Sequence, residues 1–218
     1  MTTLKKKVAS RTTETETWLE TEPGYCVALP EPDAAQKLLK RPAPLPHTIT
    51  LLPPAKAKGL VIQWGLHETP LGRALVAICG KHLIATSFVV KSDRNTQTLF
   101  EEQWQQNILV QDQQATAPWV KKVFTKNPKN LPLLLVGSDF HQSVWQALFR
   151  IPAGTVVRYG DLAKAIGRPR AARAIGNAVG ANHIGWVVPC HRVVHSDGSM
   201  RGFGWGEAVK RRFLAFEG

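Results

Sequence analysis

The chain has few cysteines and no long apolar run. Its three cysteines, Cys26, Cys79 and Cys190, are odd in number and far apart. They form neither a disulfide framework nor a CxxC metal pair, so we expect a reducing compartment: the cytoplasm, or the nucleus in a eukaryote. The sequence contains no run of about 18 apolar residues, so we expect no membrane span. No apolar segment follows the lysines at 5–7, so we expect no secretory signal.

Acidic residues are also scarce relative to basic ones. The sequence holds 28 Lys and Arg against 16 Asp and Glu, a formal net charge of +12. This balance favours polyanionic partners, chiefly nucleic acid, although many proteins merely have basic surfaces. Apolar residues make up 44% and charged residues 20%, as in ordinary globular proteins. A chain of 218 residues can form one large domain or two small ones.

Residues 1–58 lack a sustained apolar period. They contain clusters of threonine and proline, which are typical of segments without a packed core. The sequence therefore predicts a poorly ordered extension or linker over residues 1–58.

A small α/β domain is predicted over residues 59–136. Apolar, β-branched runs at 59–64, 72–78 and 82–90 are separated by turn residues, which indicates an antiparallel meander. The apolar spacing over 95–108 then predicts an amphipathic helix. Nothing in this region points to catalysis.

The remaining residues, 137–218, contain a helix-turn-helix pattern. Residues 160–166 and 171–181 are two short helical stretches joined by a turn with glycine and proline. The second stretch is rich in alanine, and Arg168, Arg170 and Arg173 surround its start, where a helix terminus also attracts phosphate. Tight core packing explains the alanines alone, whereas contact with nucleic acid explains the arginines too.

A thiol lies between a proline and a histidine in the sequence Pro189-Cys190-His191. An imidazole can remove the thiol proton, and the thiolate is the strong nucleophile. Neighbouring residues of an extended chain point to opposite faces, so His191 reaches Cys190 only through a tight turn or a bridging water. The alternative is that Cys190 is a small buried hydrophobic residue.

Two features near the end of the chain are ambiguous by themselves. The loop 202–206 alternates glycine with aromatic residues, which suits either close approach to a flat base or a plain surface loop. The apolar face of Val209, Phe213 and Phe216 predicts a docked terminal helix. Glu217, next to last, reads as a solvated helix end.

Taken together, these residues resemble the O6-alkylguanine-DNA alkyltransferase family. The resemblance covers 137–218 in order and spacing, and it is carried by 137–145, 157–160, 171–174, Asn182, 189–194 and 202–206. It implies an α+β protein, with a small ribonuclease-H-like α/β domain at 59–136. A mostly helical, winged-helix-like domain for DNA binding and alkyl transfer would follow at 137–218.

The resemblance implies single-turnover DNA repair. The alkyl group of O6-alkylguanine and, less readily, of O4-alkylthymine would pass to Cys190. His191 would act as the base through a water, oriented by Glu217. Tyr159 would donate a proton to the leaving guanine, and Asn182 would hold the turn that presents Cys190.

The resemblance also implies how DNA is held. The partner would be double-stranded DNA containing O6-alkylguanine, bound by a monomer. The resemblance implies no membrane partner, no metal and no cofactor. Arg173 would enter the base stack after nucleotide flipping. The remaining DNA contacts would be Ala171, Ala172, Arg168 and Arg170, and the base pocket would be lined by Val179, Val193, Phe203 and Gly204. Because some relatives carry a side chain at the position of Gly204, the sequence does not fix the width of this pocket.

Two other functions fit parts of the sequence. One is a DNA-binding regulator in which the chemistry is incidental, but relatives that bind without repairing lack the cysteine. The other is a thiol hydrolase using Cys190, His191 and Glu217, which would turn over many times. Stoichiometry separates the hydrolase from a repair acceptor, because a repair acceptor reacts once at most.

Overall fold

The computed structural model is a mixed α/β protein, described for residues 16–22, 25–41 and 44–218. It divides into two compact units. The first unit comprises the described residues up to 44, together with 143–181 and 189–218. The second comprises 45–142 and 182–188. In the part of the chain that is described, no helix is long and apolar enough to cross a membrane.

The first unit begins with regular structure where a poorly ordered extension was predicted. Strands β1 (Glu16–Glu22) and β2 (Tyr25–Pro30) pair antiparallel, and helix α1 (Pro32–Lys40) follows with proline in its first turn. Helix α1 buries Ala35 and Leu39. The prediction does not hold for these elements, because a hairpin and a short helix gain their stability from tertiary packing rather than from a local period. Residues 1–15 lie outside the described residues.

The second unit is built on a six-stranded sheet. Its strands are β3 (Thr48–Leu52), β4 (Val61–His67), β5 (Ala74–Cys79), β6 (His82–Phe88), β7 (Ile108–Gln111) and β8 (Pro132–Val136). Their order is β3-β8-β6-β5-β4-β7, with β4, β5 and β6 forming the predicted antiparallel meander. A short 3-10 turn, Pro54–Lys56, follows β3. Since β3 begins at Thr48, this unit starts inside the segment predicted to be a linker.

Two capped helices complete the second unit. Helices α2 (Asp93–Gln103) and α3 (Gln113–Val123) begin after Ser92 and Asp112, whose side chains accept from Asn95 N and Ala115 N at 3.1 and 2.9 Å. The helix predicted over 95–108 ends at Gln103. Residues 104–107 connect it to β7, and Ile108 is the first residue of that strand. The core contains Ile62, Trp64, Leu75, Ile84, Phe100 and Trp104.

The rest of the first unit is mainly helical. Its elements in order are α4 (Asp139–Leu148), β9 (Val157–Arg158), α5 (Tyr159–Ala165), α6 (Ala172–Gly180), a 3-10 turn (Cys190–Arg192), β10 (Val193–Val194) and α7 (Glu207–Glu217). Strands β9 and β10 pair in parallel. Helices α5 and α6 lie where the helix-turn-helix was predicted. The first four residues of α4 belong to the second unit.

Candidate active site

Cys190 opens a 3-10 turn instead of lying in an extended strand. Pro189 precedes the turn with φ −79°, and Arg192 N donates to Pro189 O at 3.1 Å. Proline fixes the entry angle and leaves its carbonyl free to close the turn. The Cys190 residue is buried, at 2% exposure. A tight turn therefore replaces the extended geometry that would have separated Cys190 from His191.

His191 is held by the last turn of α7. Its Nε2 is 2.7 Å from Glu217 Oε1, and both side chains are fully buried. A carboxylate only accepts, so Nε2 carries the hydrogen and Nδ1 is left as the basic nitrogen. Phe213 packs edge-on to the His191 ring at 5.2 Å between centroids. The pair thus has the tautomer that a general base requires.

Glu217 receives three further supports besides His191. Arg192 Nε and Nη2 lie 2.7 and 2.6 Å from Oε1, and Gly154 N donates to Oε2 at 3.0 Å. Arg192 Nη1 also donates to Ile151 O at 2.5 Å. A buried carboxylate is tolerated only when it is paired and hydrogen-bonded, and these contacts meet that condition.

Opposing effects set the protonation of this pair. Burial would raise the pKa of Glu217, but His191, Arg192 and the Gly154 N–H together lower it from 4.5 to about 2. Burial lowers the pKa of His191, and the Arg192 and Lys210 charges add to this, while Glu217 acts in the opposite direction. At neutral pH the pair is therefore an ionised carboxylate and a neutral imidazole, which can accept a proton.

Lys210 is a buried cation in the same unit. The residue is 0% exposed, its Nζ donates to Val193 O at 2.5 Å, and the same atom lies 5.5 Å from the centroid of the Phe203 ring. Burial lowers its pKa to about 8, against the raising effect of the Cys190 thiolate and of Glu207. Electrostatic coupling is mutual, so the Lys210 ammonium favours the Cys190 thiolate.

Tyr159 is the first residue of α5. Burial raises the pKa of its phenol, and the nearby Cys190 charge raises it further. Its ring packs edge-on against His195 at 5.2 Å. The phenol is therefore protonated at neutral pH and can act as a proton donor.

Asn182 organises the loop that leads to Cys190. Its Nδ2 donates to Ile184 O and Val188 O at 3.3 and 3.2 Å, and its Oδ1 accepts from Ile184 N at 2.9 Å. Trp186, in the same loop, has φ 70°, which is rare for a bulky residue, and its Nε1 donates to Val123 O at 3.1 Å. The loop 182–188 belongs to the second unit and is closed by these bonds.

Helix α6 presents small and basic side chains. Ala172, Arg173 and Ala174 are exposed, whereas Ile175 and Ala178 are buried. The Ala178 carbonyl accepts from Trp145 Nε1 at 2.8 Å, which anchors α6 to α4. Ala171 is half-buried, and Arg168 and Arg170 are exposed in the preceding turn.

The predicted pocket residues differ in exposure. Val179 and Val193 are buried, Phe203 is half-buried and Gly204 is exposed. Phe203 packs against Phe213 at 6.1 Å, which places the loop beside α7. A Cβ built on Gly204 meets no heavy atom within 4 Å, so the absent side chain leaves open space there.

The first unit thus holds every predicted site residue except Asn182. Arg192 and Lys210 were missed as candidates. Arg192 follows His191 in the sequence, but no local pattern indicated that it would pair with Glu217. Lys210 occupies a buried face of α7, where a lysine is unusual. Phe216, predicted on that buried face, is only half-buried. Among the described residues, no group of three or more His, Cys, Asp or Glu could hold a metal ion.

Comparisons with known proteins identify the family. Residues 139–218 match the family model of the 6-O-methylguanine DNA methyltransferase, DNA binding domain. The chain is 37% identical over 158 residues to a methylated-DNA-protein-cysteine methyltransferase of Shigella flexneri, covering 69% of this chain and 92% of that protein. It is 36% identical over 168 residues to the bifunctional transcriptional activator/DNA repair enzyme Ada of Escherichia coli, covering 73% of this chain and 46% of that one.

The chain spans about half or less of the first curated relatives that it matches, between 25% and 49% of their length. Among solved structures, it is similar to an O6-methylguanine methyltransferase of Mycobacterium tuberculosis, with 31% identity and a TM-score of 0.59 over 72% of this chain and 92% of that one. The structure of Mycobacterium tuberculosis OGT in complex with DNA is similar at 30% identity and TM-score 0.56, covering 71% of this chain and 92% of that one.

Proposed function

Because this chain belongs to the methylated-DNA-protein-cysteine methyltransferase family, we propose that it repairs DNA by moving an alkyl group from O6-alkylguanine onto Cys190. The observation that carries the proposal is the buried His191 and Glu217 pair beside the Cys190 turn. Nucleophile, base and orienting carboxylate are the parts that nucleophilic catalysis needs. O4-alkylthymine is a second, poorer substrate.

The first step forms the thiolate. His191 Nδ1 takes the Cys190 proton through a water molecule, and Glu217 stabilises the charge that the ring gains. The Lys210 ammonium favours the same thiolate electrostatically.

The second step moves the alkyl group. Cys190 Sγ attacks the alkyl carbon, a C–S bond forms and the bond from carbon to guanine O6 breaks. The released electron pair passes into the guanine ring, and Tyr159 donates its phenolic proton to N3, so that the base leaves neutral. The thioether that remains on Cys190 has no route back to a thiol, which makes the reaction stoichiometric.

DNA reaches this chemistry through α5 and α6, which we take as part of a winged-helix-like domain. The O6 atom of a stacked, paired guanine is out of reach of a side chain, so the nucleotide must flip out. The small residues Ala171 and Ala172 permit close approach of α6 to the minor groove, and Arg173 fills the vacated stack. Arg168 and Arg170 bind phosphate. The strand pattern of the second unit supports a ribonuclease-H-like fold.

Val179, Val193 and Phe203 line the pocket for the flipped base, which opens towards Gly204. The space at Gly204 predicts tolerance of alkyl groups larger than methyl. Asn182 holds the 182–188 loop that leads into the Cys190 turn. We propose that the protein acts as a monomer on double-stranded DNA.

The test is the intact mass of the protein after incubation with excess duplex containing O6-methylguanine. The expected result is one added methyl group per protein, mapped to Cys190 and absent in Cys190→Ala. Release of many product molecules per protein would instead identify a thiol hydrolase. Methylation at Cys26 or Cys79 would overturn the assignment of Cys190.

A further inference from the structure

The segment from Tyr25 to Lys40 lies outside the stretch matched by the family model, residues 139–218. It nevertheless belongs to the same compact unit as Cys190. The proposed chemistry assigns it no role. Its contacts run to the loop 151–156 and to helix α7, and both of these support Glu217.

Strand β2 is hydrogen-bonded to that loop through one residue. Ala28 N donates to Gly154 O at 2.9 Å, and Ala28 O accepts from Val156 N at 2.8 Å. The two bonds flank Thr155, which forms a parallel bridge with Ala28. The loop is therefore held as though it were a neighbouring strand.

Gly154 is also the residue whose N–H donates to Glu217 Oε2 at 3.0 Å. Its φ of 72° lies in the left-handed region, which glycine adopts without steric cost. Because the Gly154 carbonyl is bound by Ala28, the residue is restrained on the side opposite its bond to Glu217. The strand and the carboxylate thus share one clamped residue.

Apolar contacts reinforce the same connection. Val27 and Leu29 are 2% and 4% exposed and belong to a cluster with Val156, Val194 and Leu214. Leu214 lies about one turn before Glu217 on α7, and Val194 follows the turn that contains Cys190. Burial of these side chains ties β2 to both partners of the His191–Glu217 pair.

Polar contacts anchor the remainder of the segment. Arg158 Nη1 donates to Pro30 O at 2.8 Å, just before Tyr159. In α1, Gln36 Nε2 donates to Asp161 O at 2.7 Å, and Leu39 O accepts from Arg150 Nη1 at 3.2 Å. The segment is therefore fixed along its length to residues 150–161.

We propose that strand β2 of this segment is a positioning element for alkyl transfer, which holds Gly154 so that Glu217 keeps the orientation needed to fix His191. With Oε2 bound to Gly154, Oε1 faces His191 and Arg192. The segment acts through Glu217 and does not touch the alkyl group. This inference rests on the proposed function for its physiological meaning, but its geometry can be tested separately.

The sharpest variant is Ala28→Pro, which removes the N–H that donates to Gly154 O. Ala28 lies opposite Trp18 in the hairpin register, and its N–H points away from β1 to Gly154. The matched control is Glu31→Pro. Glu31 is exposed and already has φ −63°, the value that proline imposes, so this change adds a proline to the same segment without touching Gly154.

Single-turnover transfer from O6-methylguanine duplex is measured against pH in each variant. We expect Ala28→Pro to slow transfer by about 10- to 100-fold, as small misplacement of a catalytic group does, and to shift the rise of the rate to higher pH. Glu31→Pro should match the wild type. Adding Ala28→Pro to Glu217→Gln should cause no further slowing, because groups that act as one unit are not additive.

A second readout needs no DNA. The rate at which iodoacetamide alkylates Cys190, followed by peptide mass spectrometry over pH, should show the same upward shift in Ala28→Pro only. If wild-type protein fails to demethylate DNA, the proposed function fails while this readout still decides the positioning role.

Two outcomes overturn the proposal. One is a folded Ala28→Pro protein with wild-type profiles for both reactions. The other is equal slowing by Ala28→Pro with and without Glu217→Gln, which indicates a general structural role. If Ala28→Pro does not fold, Leu29→Ala replaces it in the same comparison, with a smaller shift expected in the same direction.

Discussion

The two units of the chain differ in what they bury. The second unit places an apolar cluster around Trp64 and Phe100, and its buried His47 is a neutral ring with Leu131 N donating to Nδ1 at 3.4 Å. The first unit buries ionisable groups, including the side chains of Glu217 and Lys210. Removing a charge from water costs several kcal/mol per ion before compensation.

The two units therefore differ in whether their buried polar groups are neutral or charged. In the second unit, the buried rings of His47 and His67 follow the usual rule that buried polar groups are hydrogen-bonded. The first unit keeps charges in its interior: the Lys210 ammonium favours the Cys190 thiolate, and the Glu217 carboxylate opposes the burial that lowers the pKa of His191. Buried charge therefore coincides with the proposed site, and the following changes test that contrast.

The largest effect is expected for Glu217→Gln. Loss of the carboxylate charge leaves His191 without the group that orients it and stabilises its proton. Transfer should slow by roughly 10²–10⁴-fold, the usual worth of positioned acid-base help, while duplex affinity stays the same. Single-turnover rates and duplex binding are measured side by side.

The control is Glu207→Gln on the same helix. Its carboxylate is partly exposed and pairs with Arg211 at 2.7 Å, so little change in rate is expected. Unchanged transfer in Glu217→Gln would return Glu217 to a structural role.

In the second unit the expected effect is on stability and not on transfer. The pKa of His47 is lowered by burial from 6.5 to about 4. The unfolded chain binds this proton below pH 6.5 and the folded chain only below about 4, so stability falls as pH drops through that window. The loss should reach about 3 kcal/mol for this residue.

His47→Asn keeps an acceptor for Leu131 N but does not titrate there. Urea unfolding at several pH values should show a shallower loss of stability below pH 6.5 than in wild-type protein, with His82→Asn as the partly exposed control. An identical pH dependence in His47→Asn and wild type would contradict the prediction.

A smaller effect is expected at the exposed start of α6. Arg173→Ala should slow transfer from duplex by roughly 10- to 100-fold, since flipping costs a few kcal/mol, and much less from a single strand. Arg170→Ala is the comparison: it should weaken binding to both and lower the salt slope by about 0.9. Equal losses by Arg173→Ala on both substrates would reject the stacking role.

The smallest effect is expected for Lys210→Met. Leaving Val193 O unpaired costs about 1–3 kcal/mol, but removing a buried ammonium recovers a desolvation penalty of several kcal/mol. Unfolding free energy should therefore rise or stay level while transfer slows by roughly 10-fold, because the thiolate loses the favourable interaction with the ammonium. Lys81→Met on an exposed turn controls for the substitution. Faster transfer in Lys210→Met would contradict the electrostatic role.

Local sequence patterns predicted the helix-turn-helix and the meander. Residues 160–166 and 171–181 carry their own period and turn residues, so their helices form nearly where expected. The sheet of the second unit was predicted too short, because β3, one of two strands that pair with β8 in parallel, lies within the proline-rich stretch. Parallel pairing joins distant strands and leaves no local turn signal.

The hairpin and helix at 16–40 could not be predicted for a similar reason. Their apolar residues are few, and Val27 and Leu29 belong to an apolar cluster whose other members lie more than a hundred positions away. The terminal helix shows the same limit: Val209 and Phe213 are buried as expected, but Lys210 and Leu214 replace Phe216 on the buried side. Periodicity locates a helix more securely than the direction it faces.

The sequence by itself singled out the proposed reactive residues, because Pro189-Cys190-His191 and the arginines around the start of α6 are local features of the chain. It also carried enough local pattern to identify the family. The tertiary structure alone decided which groups support them. Glu217 meets His191, Arg192 and Gly154 only after packing across 25 to 63 residues, and Lys210 is a surface residue until α7 docks. Burial and long-range pairing depend on the whole fold, and no local pattern records them.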